Sequence, residues 1–394
     1  ECVCFVLIIR FLNSFNFFVP TQIRFGTGRR KDLKDILPFY GKKCLMVSRP
    51  LNGSLKETFE EIISIIRSAN IEVSFFDEVI PNPTLEGVEK GLALAVANQV
   101  DFVIGIGGGS VLDTAKLIAL LYNENVNINW EEAKSKYDDP FAISPKPEAA
   151  LPFIAVSTTS GSGSHCTQAA VVSDTKTKNK VTFFHSALFP ALAIVDPELM
   201  LSVPSSVTAA TGFDAFTHAF ESFLGSRVSP ITEQMSLQAI KLVIQNLPKA
   251  IKDSNNIKVR SNLARADTLA GMCLANGGAD LPHPLGEIIG GICSRIAHGD
   301  TLAIVYPAFL KYKEKIAPKK FIKVAEYLGL ESDPSSLRNC LVDLFKVTGL
   351  NTVLEKSKIS NEESKDIMRH PLLINLQPNN SETIVQLMKD SLYK

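Results

Sequence analysis

Four side chains in the second half of this 394-residue chain have the chemistry to share one metal ion. The segment TGFDAFTHAFESF (211–223) sets Asp214 and His218 four residues apart among phenylalanines and alanines. Four helical residues turn through about 400°, so the two side chains share a face roughly one turn apart. Burying them is costly unless something pairs them. An Asp–His hydrogen bond would serve, and so would a shared cation. The chain has six histidines, at 165, 185, 218, 283, 298 and 370. His283 in LPHPLG (281–286) and His298 in AHGD (297–300) lie fifteen apart in a second apolar region. Three imidazoles and one carboxylate suit Fe²⁺ or Zn²⁺ with a position open for substrate. His165 and His370 have no such neighbours in sequence and stay outside the set.

A second chemistry lies earlier. DFVIGIGGGSVLDTAKLIALL (101–121) reads as a strand, three glycines and a helix. Gly107, Gly108 and Gly109 let the backbone approach a ligand, and Ser110 offers a cap to a helix whose first N–H groups face an anion. The stretch is neither G-x-G-x-x-G, since the sixth position of GIGGGS is Ser110, nor a P-loop, since no G-K-[ST] follows. A capped glycine turn without a ligand would also explain it. A second small-residue loop, STTSGSGS (157–164), also follows an apolar strand. Two such loops at strand C-terminal ends fit the ligand crevice of an open α/β sheet and favour a phosphate-bearing cofactor.

These groups need elements to hold them. CLMVS (44–48), EVSFF (72–76), DFVIGIG (101–107), PFIAVS (152–157) and LAIVD (192–196) have strand character, and amphipathic segments such as 55–69 and 84–98 lie between them. Strands alternating with helices predict a parallel sheet covered on both faces. After Pro204 helical patterns take over. The expected fold is an α/β nucleotide-binding domain with a parallel sheet over 13–204, followed by an all-α metal-binding domain over 205–394. CVCFVLII (2–9), ended by Arg10, is shorter than the ~20 residues of a membrane span. It lacks the basic start and cleavage site of a signal peptide. Residues 1–12 therefore read as an N-terminal extension that adds nothing to the core.

Composition narrows the class. The 41 basic and 41 acidic side chains balance, giving no electrostatic footprint for nucleic acid or an anionic membrane. Seven cysteines, odd in number and free of any CxxC pair, fit a reducing compartment, and the cytoplasm is expected.

Several of these stretches together resemble the iron-containing (group III) alcohol dehydrogenase family: FGTG (25–28), PNPTLEGVEKG (81–91), GGGSVLDTAK (107–116), TTSGSGS (158–164), AIVDPEL (193–199), TAATGFDAFTHAFES (208–222), LPHPLG (281–286) and HG (298–299). The resemblance implies a metal, iron with zinc as the alternative, held by Asp214, His218, His283 and His298, which are also the catalytic set. It implies that Gly107, Gly108, Gly109 and Ser110 cradle the pyrophosphate of a nicotinamide cofactor. Asp113, Thr158, Thr159 and Lys180 resemble further positions lining the nucleotide site. The implied reaction is reversible hydride transfer between NAD(P)(H) and a small alcohol or aldehyde, with the metal as Lewis acid and no protein nucleophile. A homodimer is the candidate assembly.

Three departures from the family pattern matter. Many members place a ligand histidine four residues before a second one, which would put Ala279 in the ligand position. Others have one histidine in L-x-H-x-L-G, which LPHPLG matches, so His283 is expected to bind the metal. His165 stands where the family has Glu. Arg49, in MVSRP, stands where NAD-preferring members have Asp, which implies NADP(H) over NAD(H). The rival readings are a zinc-dependent polyol oxidoreductase resembling glycerol dehydrogenase and a metal- and nucleotide-binding protein without turnover.

Overall fold

The computed structural model describes residues 14–52, 55–122, 128–142, 150–376 and 381–393. The extension expected at 1–12 lies outside them. The strands are β1 (Gln22–Phe25), β2 (Lys43–Val47), β3 (Glu72–Phe76), β4 (Phe102–Gly107), β5 (Phe153–Ser157), β6 (Ala169–Asp174), β7 (Asn179–Phe184) and β8 (Leu192–Val195). Six form one parallel sheet in the order β1-β8-β5-β4-β2-β3, and β6 and β7 pair apart as an antiparallel hairpin.

The sheet has two buried faces, as short apolar strands require. Side chains alternate across it. Cys44, Met46, Ile104, Ile106 and Ile154 pack with Phe59, Ile62 and Ile66 of α1 (Lys56–Ser68). Leu45, Val47, Val103 and Phe153 face the other way, against Val88 and Leu92 of α2 (Leu85–Ala97) and Leu112 and Ala115 of α3 (Gly109–Leu120). β3 lies outside β2 while β4 and β5 lie on its other side, so the strand order reverses between β2 and β4. Ligands of open α/β sheets bind outside the carboxyl ends of strands at such a reversal.

The hairpin and β1 carry weak strand signals in the sequence. QIRF is four residues with two polar side chains, and AAVVSD hides its alternating burial because alanine and valine occupy both faces.

A helical half follows, with α4 (Trp130–Lys136) preceding it in the sheet half and α5 (Ser205–Leu224), α6 (Pro230–Lys252), α7 (Ile257–Gly277), α8 (Pro282–Ile292) and α9 (His298–Ile316) leading it. α5 is buried on nearly every side from Thr208 to Phe223, so it carries two stripes. Phe213, Phe216 and Phe220 form the apolar one: Phe213 meets Tyr306 edge-on at 5.0 Å, and Phe220 meets Phe321 edge-on at 5.4 Å. Asp214, His218 and Glu221, spaced by four and three, form the polar one.

Candidate functional site

The polar stripe of α5 meets the beginnings of α8 and α9. Asp214 Oδ1 lies 3.5 Å from His218 Nε2, 3.9 Å from His283 Nε2 and 3.9 Å from His298 Nε2. The structure thus brings together all four residues expected from sequence. Ala279 lines the same cleft but offers no donor atom, while His283 turns its Nε2 into the cluster. His298 reaches the cluster because Gly299 lets α9 start against the α5 backbone: a Cβ on Gly299 would lie 2.1 Å from the Ala210 carbonyl oxygen.

Two histidines are oriented from behind. His218 Nδ1 is 3.1 Å from the Gly161 carbonyl, and His283 Nδ1 is 2.7 Å from Glu221 Oε2. With Nδ1 donating, Nε2 is the atom that faces the cluster and would offer its lone pair to a cation there, the usual arrangement behind a metal-binding imidazole. Glu221 is fully buried and also accepts from the Asp280 N–H at 2.8 Å. Burial pushes the Asp214 carboxyl up to about 8, against the pull of His283. Burial is the largest single influence and works to lower His283, but the carboxylates of Glu221, Asp214 and Glu287 together outweigh it and lift the imidazole to about 9. His218 and His298 are held well below their ordinary value by burial. Asp214 Oδ1 and His283 Nε2 are buried without a hydrogen-bond partner. A cation among these donors would satisfy both orphaned atoms, and the donor set suits Fe²⁺ or Zn²⁺.

A cleft of about 720 Å³ joins this cluster to the glycine turn. α3 begins at Gly109 with Gly108 in the cap position and no side-chain cap. The capping role expected of Ser110 is therefore corrected: it sits inside the first turn, with its carbonyl accepting from Thr114 Oγ1 at 2.8 Å. The first N–H groups of α3 stay uncapped by any side chain, as an anion site requires. A Cβ on Gly108 would lie 2.8 Å from Thr159 Oγ1, and one on Gly109 would lie 2.9 Å from Ser162 Cβ. The turn and the small-residue loop therefore pack as a cradle that side chains would fill. Buried Thr158 ties the loop to the turn by donating its N–H to the Gly107 carbonyl at 3.0 Å.

Gly109, Ser110, Asp113, Thr159 and Lys180 line the cleft. Asp113 spends both oxygens inside the protein, accepting from Ser164 Oγ at 2.6 Å and the Val171 N–H at 2.9 Å. Lys180 on β7 donates to Asn82 Oδ1 at 2.9 Å. Arg49 is exposed beyond β2, outside the residues lining the cleft. Its strand runs beside β4, with Val47 opposite Gly105. His165 is buried away from the cleft, its Nε2 2.9 Å from Thr268 Oγ1 and its Nδ1 3.7 Å from Asp267. His370 contacts Asn179 Oδ1 at 2.6 Å. Sequence reasoning missed Glu221, Glu287 and Asp267. Glu221 continues the spacing of Asp214 and His218, a signal that could have found it.

The pattern of the iron-containing alcohol dehydrogenases matches residues 20–197, and that of the Fe-containing alcohol dehydrogenase C-terminal family matches 208–392. The chain is 33% identical over 315 residues to an NAD-dependent methanol dehydrogenase of Bacillus methanolicus, covering 80% of each. It is 30% identical over 358 residues to an NADPH-dependent butanol dehydrogenase of Clostridium saccharobutylicum, covering 89% of this chain and 88% of that one. Its fold superposes on the crystal structure of an archaeal halo-thermophilic alcohol dehydrogenase from a Red Sea brine pool with TM-score 0.88 at 27% identity, covering 96% and 99% of the two chains.

Proposed function

Because the chain belongs to the iron-containing alcohol dehydrogenase family and so transfers a hydride between NAD(P)(H) and a small alcohol or aldehyde, we propose that Asp214, His218, His283 and His298 hold its catalytic metal, that this metal is iron, and that NADP(H) is the preferred cofactor. The observation that carries the metal reading is the convergence of three imidazole Nε2 atoms on one orphaned buried carboxylate oxygen. When bound, the ion supplies Lewis acidity toward the substrate oxygen and the nicotinamide supplies or takes the hydride. The chain's own groups do the rest. Glu221 and the Gly161 carbonyl fix the imidazoles so that their Nε2 lone pairs point inward. Gly107, Gly108, Gly109 and Ser110 form the turn that receives the pyrophosphate, with the first N–H groups of α3 free of any side-chain cap. Thr159, Asp113 and Lys180 shape the passage from there to the metal donors, and buried Thr158 holds the loop behind them.

NADP(H) preference rests on Arg49, since relatives of both cofactor types occur. We also infer a domain division at residues 204/205, supported by the onset of α5 at Ser205, and a cytoplasmic homodimer. The buried free thiols of Cys44, Cys166, Cys273 and Cys293 suit a reducing compartment. Among the described residues no helix is long and apolar enough to cross a membrane.

Chelation followed by Fe²⁺ or Zn²⁺ tests the reading. Activity should disappear with the metal and return with Fe²⁺. His283→Ala should lose most of its bound metal while keeping its fold. Full metal content in that variant would overturn the ligand set.

A further inference from the structure

Behind the metal donors, two more buried oxygens have no hydrogen-bond partner among the described residues: Glu221 Oε1 and the Tyr306 hydroxyl. The first belongs to the carboxylate whose Oε2 receives His283 Nδ1 at 2.7 Å and the Asp280 N–H at 2.8 Å. The second ends a fully buried ring on α9. That ring packs against α5, the helix of Glu221, lying edge-on to Phe213 at 5.0 Å and to Phe216 at 6.1 Å.

A buried acceptor without a donor is costly, and so is a buried donor without an acceptor. Burial, then the carboxylates of Glu221, Asp280 and Asp214, hold the phenol well above its ordinary value, so it stays protonated and able to donate. Asp280 is committed elsewhere, its Oδ1 accepting the Leu281 N–H at 2.7 Å and its Oδ2 pairing with Lys313 at 2.6 Å. Asp214 turns Oδ1 toward the three imidazoles. Glu221 is left. It is near enough to act on the phenol as an acceptor, and a small turn of the carboxylate closes the bond. One bond then satisfies both orphaned atoms.

We propose that Tyr306 is a positioning residue for the metal site: its hydroxyl donates to Glu221 Oε1, and the carboxylate, held at both oxygens, fixes the ring of His283. The inference rests on the ligand set proposed above and extends it one residue further back. Groups behind a metal-binding imidazole contribute about tenfold to a hundredfold in metal affinity. Tyr306 acts through Glu221, which puts its share at the lower end of that range.

Zn²⁺ binding by chelator-stripped protein, measured by competition with a chromogenic chelator, tests this without turnover. Tyr306→Phe keeps the ring and removes only the hydroxyl. Its circular dichroism should match wild type while its Kd for Zn²⁺ rises about tenfold. A hydroxyl that served packing alone would lower Tm and leave the Kd unchanged. Glu221→Gln supplies a second background. It keeps an oxygen for His283 and the Asp280 N–H and turns an NH₂ toward Tyr306, to which a phenol cannot donate. There Tyr306→Phe should change the Kd by less than about twofold. A wild-type Kd in Tyr306→Phe, or the same loss in both backgrounds, would overturn the proposal. If Glu221→Gln fails to fold, the visible absorption of Co²⁺-loaded protein decides: Tyr306→Phe should shift the bands, and superposable spectra would overturn the proposal. Weakened binding in His283→Ala with none in Tyr306→Phe removes the positioning role alone. Full affinity in His283→Ala removes the ligand set and this proposal with it.

Discussion

An acidic side chain at the end of a nucleotide-binding strand accepts from the ribose 2′-OH and repels a 2′-phosphate. After β2 this chain offers Ser48 and Arg49, with no carboxylate before Glu57. Ser48 is committed internally, its Oγ donating to the Arg49 carbonyl at 2.8 Å. The exposed guanidinium of Arg49 stays available at the strand reversal, where it can form a bidentate, charge-assisted pair with phosphate. Such a contact contributes about 1.5–3 kcal/mol, so kcat/KM should favour NADPH over NADH by roughly ten- to a hundredfold. Arg49→Asp should reverse the order, and equal values in the wild type would remove Arg49 from the phosphate. At this scale the site was legible where residue type and spacing coincide: Asp214 and His218 one turn apart, then two isolated histidines in apolar surroundings. Glu287 was not legible, because an acidic residue in PHPLGEIIGG reads equally well as a solvated surface position. Only the approach of β7 to α8 turns it into the cleft.

The loop 157–166 shows how elements hold the site. Asp267 on α7 accepts the Gly163 N–H at 2.8 Å, and the Gly161 carbonyl of the same loop orients His218. Lys116 on α3 pins the following segment by donating to the carbonyls of Thr167 and Ala169 at 2.9 and 2.7 Å. His165 sits inside this junction, where burial and then Lys116 push its imidazole down to about 3. The unfolded chain would take up that proton near pH 6.5. The stability His165 contributes is therefore fully present above pH 6.5 and lost as pH falls toward 3. Each unit in that window costs up to about 1.4 kcal/mol. Asp267, raised by burial to about 7, works in the opposite direction and is common to the wild type and a His165→Gln variant. The Tm of His165→Gln should fall less steeply than that of wild type between pH 6.5 and 4.5, and identical slopes would show that His165 is not held uncharged. Five strands could be read from their apolar runs: β2, β4, β5 and β8 are buried on both faces, and the edge strand β3 still carries Val73, Phe75 and Phe76. The hairpin could not, because only its packing on α3 and α8 decides which side of AAVVSD and NKVTFF is covered.

At the scale of the whole molecule, the sheet ends in an edge. β1 closes the order and pairs with β8 alone among the described strands. The N–H groups of Gln22 and Gly26 point to β8, donating to the Ala191 and Val195 carbonyls at 3.3 and 3.0 Å. Alternation along the strand turns those of Ile23 and Phe25 outward. An open edge is a template for another strand; Phe25 on β1 is exposed, as are Phe15, Phe17 and Phe18 in the segment that precedes it in the chain. The segment carrying these rings is anchored to the helical half, since the Phe18 N–H donates to Asn276 Oδ1 at 2.8 Å. A four-residue strand supplies too little area for a stable interface of about 1,200 Å² or more, so the exposed phenylalanines must add to it. The expected assembly is a homodimer in which two copies of β1 pair and bury these rings. Sedimentation velocity should give a particle of twice the 43.0 kDa chain mass. Phe25→Pro removes one outward donor and one exposed ring without removing a bond to β8. That variant should shift the population toward monomer. A wild type that sediments as a monomer at micromolar concentration would rule this assembly out, and an unchanged dimer in Phe25→Pro would move the interface away from β1.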